Sequence, residues 1–480
     1  MNAPVEKVVI IGLDCAEPSL IFDRWRDYLP NLTQLASNGC FGTLASTIPP
    51  ITVPAWTSMM TSQDPGQLGF YGFRNRKDYS YDGLYFANAS YVKAKTVWNL
   101  LSIARKNSIL IGVPQTYPPR PLRGIMVGCF LTPDKSAEYT YPVEIKVELD
   151  AVADGDYVID VKEFRTEDKD WLLGQIYEMT DKRFKVVRNF MQHKPWDFFM
   201  FVEMGVDRIH HGFWRFMDPQ HRLYEPGNRY ENVIRDYYIH LDREIGRILE
   251  LLPRNTAVFV VSDHGAKSMK GAICVNEWLL QEGLLALKAD PGKRKKLAMD
   301  MIDWSKTTAW GEGGYYARVF MNVQGREPQG VVPPDQYEAV RDDLAARLAS
   351  IPDENGNPIG TKVFKPEQVY RECRNIPPDL IVYFGDLNWR SAGSIGEGFV
   401  HMFENDTGPD DANHSPEGMF ILNFPGAIPE TYRPLMGRRL EGVSLYDVAP
   451  TVLDLFKMEI PDQMVGKMLR HYLTEKRELH

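Results

Sequence analysis

Short runs of uninterrupted apolar residues punctuate the chain at Val8–Leu13, Ser108–Val113, Phe198–Val202, Ala257–Ser262 and Leu380–Tyr383. A strand with one wet face alternates apolar and polar side chains. These runs do not alternate, so they predict strands buried on both faces, as in a parallel sheet covered by helices. Between them the spacing lengthens to that of helices. Asn31-Leu-Thr-Gln-Leu-Ala opens on a capping residue, Thr96–Arg105 is amphipathic, and Arg229–Leu252 repeats aromatic and aliphatic residues at helical intervals. The alternation predicts an α/β fold of three layers, α/β/α, around a central, mostly parallel sheet.

From about residue 285 to 400 the pattern changes. Gly, Pro and Asn become frequent, and hairpin-like pieces occur at Tyr315–Val323 and Glu354–Val363. This segment, 285–400, reads as a smaller inserted cap region that returns to the main sheet near Pro378-Asp-Leu-Ile-Val. Residues 1–284 and 401–468 then form the core domain. A second insertion is expected near 120–165, where Pro, Asp and Tyr cluster without clear period. Lys467–His480 reads as a charged helical tail, with 469–480 outside the core.

Composition narrows the class. With 44% hydrophobic and 25% charged residues over 480 positions, the chain is an ordinary globular protein, not disordered, collagenous or coiled coil. A formal charge of -9 excludes the basic face that duplex nucleic acid or a membrane surface requires. An anionic substrate would need a local reversal of that field, which is a first hint of bound metal. The five cysteines are scattered without a CxxC pair, which points away from a disulfide framework and toward the cytoplasm. The opening MNAPVEKVVIIGLD has no secretory pattern. No apolar run approaches the roughly 20 residues of a membrane span.

Candidate chemistry lies where strands end. Asp14 closes the first apolar run, at the strand edge where open α/β sheets bind ligands, although a turn aspartate would look the same. Thr52 precedes Val-Pro-Ala; Pro54 suits the first turn of a helix, so Thr52 sits near a helix N-terminus that favours an anion, as a capping threonine or as a nucleophile. Asp207 and His211 are spaced i,i+4, on one helical face, and follow another apolar run; they are half a metal site or a solvated pair. His210 points away and reads as structural. In Ser-Asp263-His264-Gly265, a buried strand ends in adjacent acidic and imidazole groups, and the glycine permits the turn that would let both meet one ion. His414 precedes the apolar run Met419–Leu422. Three aspartates, three histidines and a threonine make a nitrogen and oxygen donor set that suits zinc best and manganese or cobalt next; calcium fits it poorly.

The ordered set Asp14, Thr52-Val-Pro-Ala, Asp207-x-x-x-His211, Ser-Asp263-His264-Gly and His414 resembles the alkaline phosphatase superfamily, and within it the type I phosphodiesterase/nucleotide pyrophosphatase branch with its predicted phosphohydrolases and phosphomutases. Asn276-Glu-Trp-Leu, Gly325-Arg-Glu-Pro and Leu445-Tyr-Asp-Val-Ala-Pro-Thr extend the likeness to about residues 8–468. The resemblance implies an alkaline-phosphatase-like fold and two divalent ions, most simply Zn2+ with Mn2+ as the alternative. Asp207, His211 and His414 would hold one ion and Asp14, Asp263 and His264 the other, with Thr52 as nucleophile beside the second. It implies a phosphoric ester hydrolase that forms a phospho-threonine and acts on an anionic small-molecule ester or nucleotide-like substrate, a diester or pyrophosphate rather than a monoester. Phosphomutase, phosphomonoesterase and phosphonate hydrolase chemistry are the in-class alternatives. A catalytically inactive metal-binding scaffold is the reading from another class.

The likeness has gaps. Nucleotide pyrophosphatases carry an asparagine downstream of the nucleophile that helps hold the phosphoryl oxygen; Phe73 falls nearest here, with Arg74 or Asn75 as substitutes. A frequent histidine of the branch is Leu68 here. The Cys-x-Pro-x-Arg or Ser-x-Pro-x-Arg signature of sulfatases is not matched. Lys267, after the Asp-His-Gly turn, is a candidate substrate contact. Lys293-Arg-Lys-Lys296 reads as a solvated helix start, Cys15 as a core residue, and Phe213, Trp214 and Phe216 as helix packing.

Overall fold

Nine strands form the central sheet of the computed structural model, which describes residues 5–473. In spatial order they are Arg438–Ser444, Cys40–Ala45, Glu417–Asn423, Thr256–Val261, Lys7–Leu13, Phe198–Glu203, Ser108–Ile111, Gly124–Val127 and Thr140–Tyr141. Glu417–Asn423 and the edge pair member Thr140–Tyr141 run against the others, so the sheet is mostly parallel. Four of the five apolar runs occupy its middle. Every residue of Thr256–Val261 and of Phe198–Glu203 is buried, which is why neither alternates. The helices fall into two packed groups. One contains Pro30–Asn38, Lys169–His193, Gly205–Met217 and Val233–Leu249; the other contains Thr52–Thr61, Val97–Ile103 and Val448–Leu455.

The fifth apolar run departs from expectation. Leu380–Tyr383 does not return to the central sheet. It is an inner strand of a separate four-stranded antiparallel sheet, with Ala317–Met321 on one side, Lys362–Phe364 on the other, and Ala309–Glu312 at the far edge. Its continuous apolarity has a different origin: Leu380 and Val382 enter a core with Trp278, Trp310 and Leu344, while Ile381 and Tyr383 enter a second cluster with Ile51 and Tyr71. One strand is thus buried on two faces by two parts of the molecule.

Other expectations also need correction. Residues 120–165 do not form an insertion throughout, because Gly124–Val127 and Thr140–Tyr141 complete the central sheet. Asn31 does not cap its helix, which starts at Pro30; its amide instead binds Asp242. Lys295–Lys296 is a short strand paired with Ser394–Ile395, not a helix start. At the C-terminus, Leu469–Leu473 forms one 3-10 turn and the rest of the expected tail lies outside the described residues. No helix among the described residues is long and apolar enough to cross a membrane.

Candidate metal centre

Lys7–Leu13 lies between Thr256–Val261 and Phe198–Glu203, all three parallel, so their carboxyl ends open on one spot. Asp14 follows the first directly. Asp263 and His264 follow the second, and Asp207 and His211 project from the helix Gly205–Met217 that follows the third. His414 arrives on Ala412–Ser415, which pairs with Gly265–Ser268 and sets His414 opposite Ala266. Its ring stacks on His264 at 3.8 Å and 14°. Thr52 is the first residue of the helix Thr52–Thr61, and its Oγ1 lies 3.4 Å from His264 Nε2. The seven expected residues are therefore brought together, and all are at least nine-tenths buried.

One donor atom from each of Asp14, Asp263 and His264 lies within 4.8 Å of the others. Asp207, His264 and His414 form a second such trio. Asp207 Oδ1 is 3.1 Å from His211 Nε2 and 3.9 Å from His414 Nε2. Each histidine is oriented by a bond at its other ring nitrogen. Nδ1 of His211 meets Asp410 at 2.6 Å, that of His264 meets the Gly265 carbonyl at 3.1 Å, and that of His414 meets the Pro50 carbonyl at 2.7 Å. With Nδ1 so engaged, all three Nε2 atoms turn toward the aspartates, the arrangement that metal-binding histidines use; without an ion, burial opposes a charge on His211 but Asp410 and Asp207 raise it to about 10.

Buried atoms left without partners make the same point. Asp14 Oδ1 and Asp263 Oδ2 have no hydrogen bond. Native interiors rarely leave such atoms unsatisfied unless an ion or ligand serves them. The electrostatics agree. Burial, then the Asp207 charge, push the Asp14 carboxyl well above its ordinary range, and burial with the Asp14 charge does the same to Asp263. Burial opposes ionisation of Asp207 too, but His211 and Arg208 hold it well below the usual range. Burial pushes His264 down to about 4, and burial with its histidine neighbours holds His414 well below the ordinary imidazole range, so both are in the neutral, ligating form. Crowded carboxylates beside imidazoles fit divalent cations.

Several supporting residues escaped sequence reading. Asp410, which orients His211, also receives Arg165 Nε at 3.1 Å and the Tyr315 hydroxyl at 3.3 Å. Burial tends to raise its carboxyl, yet His211 and Arg165 lower it to about 2. Tyr315 stacks on His414 at 4.2 Å and on His211 at 5.0 Å, so a residue of the 285–400 segment packs directly on the centre. Trp56 Nε1 donates to Asp14 Oδ2 at 2.7 Å, and Gly12 leaves the slot for its ring: a Cβ there would lie 2.6 Å from the indole. Cys15 is buried in the core as its sequence position predicts, with φ +65°, and its sulfur lies within 4.8 Å of donors on Asp207 and His211 while bonding the Gly265 carbonyl.

A cavity of about 870 Å³ opens above the centre, with Thr52, Asp207 and His414 at its floor. Phe73 and Arg74 line it. Asn75 does not: its side chain accepts the Tyr71 N–H and donates to the Gly72 carbonyl, closing a turn. Lys267 does not either, since its amine is engaged by the Asp386 carbonyl at 2.8 Å. Arg294, Lys295 and Lys296 do line it, against the expectation of a solvated helix start. Phe213, Trp214 and Phe216 pack away from it.

The family described as type I phosphodiesterase / nucleotide pyrophosphatase matches residues 8–414. No curated protein matches the sequence. Among solved structures, phosphonoacetate hydrolase from Sinorhizobium meliloti in complex with phosphonoformate is similar at TM-score 0.56 and 15% identity, over 93% of this chain and 94% of that one. An inactive form of murine ectonucleotide pyrophosphatase/phosphodiesterase 5 in complex with AMP is similar at TM-score 0.51 and 12% identity, over 95% and 96%. The human protein gives 0.52 and 12%, over 97% and 98%. At these identities the likeness is one of fold, and it matches the alkaline-phosphatase-like α/β architecture expected from the sequence.

Proposed function

Because the chain belongs to the type I phosphodiesterase/nucleotide pyrophosphatase family of phosphoric ester hydrolases, we propose that it cleaves a phosphodiester or pyrophosphate by way of a phospho-threonine at Thr52. The observation that carries this reading is the position of the Thr52 hydroxyl, at a helix N-terminus and 3.4 Å from His264 Nε2 within the Asp14, Asp263 and His264 cluster.

Asp14, Asp263 and His264 would hold one divalent ion and Asp207, His211 and His414 a second. Bound zinc would supply Lewis acidity toward the threonine hydroxyl and the phosphoryl oxygens. Thr52 Oγ1 attacks phosphorus and the ester oxygen leaves with its electron pair; water then cleaves the Thr52 O–P bond and frees the threonine. Pro54 has no N–H and the Ala55 N–H is spent on the Ile51 carbonyl at 2.9 Å, so the amides of Thr52 and Val53 remain for phosphoryl oxygens, aided by the helix dipole. These amides take the part that the family's asparagine would play where Phe73 stands. The large cavity favours an ester with two organic arms over a monoester. Five free cysteines support a reducing, cytoplasmic setting.

The test is turnover by zinc- and manganese-loaded protein, wild type beside Thr52→Ala, on p-nitrophenyl phosphate, bis-p-nitrophenyl phosphate and p-nitrophenyl thymidine 5′-phosphate. Diester turnover that disappears in the variant is expected. Equal turnover in the variant, or none in a wild type that retains two ions, would sink the proposal.

A further inference from the structure

The chain carries a formal charge of -9, yet the wall of the cavity above Thr52 is rich in cations. Most of them are already neutralised. Arg165, Arg208, Arg294, Arg318 and Arg390 are each held by a carboxylate, at 2.6 to 3.5 Å. Arg74, Lys295 and Lys296 line the same cavity and make no ion pair among the described residues. They come from different parts of the chain. Arg74 opens the short strand Arg74–Arg76, with its guanidinium 5.4 Å from the centre of the Phe86 ring. Lys295–Lys296 is the strand that pairs with Ser394–Ile395 in the 285–400 segment. The lining also includes Phe73 and Phe130, whose rings meet edge to face at 6.0 Å.

Arg74, Lys295 and Lys296 are solvent-exposed along the cavity lining, and unneutralised charges of one sign gathered at one opening of an acidic protein raise the local concentration of an anion there. Lysines free of a carboxylate partner retain all their donors for a guest, and an arginine held over an aromatic face keeps its fork open. We infer that Arg74, Lys295 and Lys296 form a second anion subsite, which takes a carboxylate or phosphate borne by the substrate away from the scissile phosphorus. The substrate class is therefore a phosphoric ester with a distal anionic group, joined through an apolar stretch that passes the phenylalanines. This rests on the phosphoryl site proposed above.

The experiment titrates zinc-loaded protein calorimetrically with alkylphosphonates of graded length that end in methyl, carboxylate or a second phosphonate. At one length the charged end should strengthen binding about tenfold over the methyl end. In Arg74→Gln and in the double variant Lys295→Gln with Lys296→Gln that gain, taken as a ratio within each protein, should fall toward one. The charged end with the larger gain identifies the distal group. A wild type that shows no gain at any length, or variants that retain it, would overturn the inference. If no phosphonate of any kind binds the zinc-loaded protein, the phosphoryl site itself is wrong and the subsite falls with it.

Discussion

The two regions that meet at the cavity are built on different principles. On the central sheet, five of the six candidate ligands follow three adjacent parallel strands, so their meeting point is a consequence of register: shift one strand and its ligand leaves the centre. The antiparallel region supplies the opposite kind of contribution. Tyr315 and the Lys295–Lys296 strand reach the same cavity from a loop and a short ribbon, the one held by ring stacking and its bonds to Asp410 and Arg165, the other by pairing with Ser394–Ile395. On the proposals above, reaction type is tied to the sheet, and selection among substrates to the added region together with Arg74 of the core. That region is not loosely attached. The buried pair Arg76–Glu327 at 3.0 Å, and Tyr81 stacked on Trp304 at 3.6 Å, join it to the core.

If the division holds, the largest effect belongs to the sheet side. Thr52→Ala should lower kcat by about 10⁴-fold or more while metal content, measured by elemental analysis, stays the same; a loss of under tenfold would break the assignment. Next is the joint between the regions. Arg76→Ala should cost about 3 kcal/mol in denaturant titration, toward the low end for a buried pair because Arg326 still serves Glu327. Unchanged stability would mean the regions are independent.

Asp410→Asn weakens the hold on His211 and should reduce metal affinity about 10- to 100-fold in chelator competition. A smaller effect concerns His210, buried on Tyr238 outside the ligand set; burial lowers it to about 3, against about 6.5 when unfolded. The unfolded chain binds the extra proton, so stability is full above the unfolded value and falls as pH drops toward the folded one. In chelated protein this amounts to about 1.4 kcal/mol per pH unit, and His210→Gln should flatten the slope by that amount. The smallest change is Tyr315→Phe, which keeps the ring stacked on His414 and removes one hydroxyl; about a severalfold loss of kcat/KM is expected, with Tyr315→Ala losing more. Equal losses in the two would deny the ring its role.

How much of this was legible in the sequence follows the same division. Asp14, Asp263 and His264 announce themselves because a fully buried strand that stops in acids and imidazole has few structural reasons to do so. Asp207 and His211 need only helical spacing. His414 is unremarkable alone and was found by its place in the ordered set. Asp410 was invisible in this respect: its contact with His211 spans 199 residues, and a polar Asp-Asp stretch reads as any loop. Lys293–Lys296 was misread because a basic run looks the same whether it faces bulk water or a cavity. Leu380–Tyr383 was assigned to the wrong sheet, since period reports burial on both faces but not which partners provide it. Arg438–Ser444, at an edge, carries only Leu440 and Val443 as apolar positions, too few to mark a strand by pattern.

Trp56 gives the centre a property that catalysis does not require. Its indole N–H, fully buried, ends 2.7 Å from a carboxylate oxygen of Asp14, so it sits one hydrogen bond from the charge that an arriving ion would neutralise. The protein thus carries its own optical gauge. The emission that is lost in Trp56→Phe should shift when zinc is added and be quenched by paramagnetic manganese, so the filling of the Asp14 position can be followed in real time, before any substrate is known.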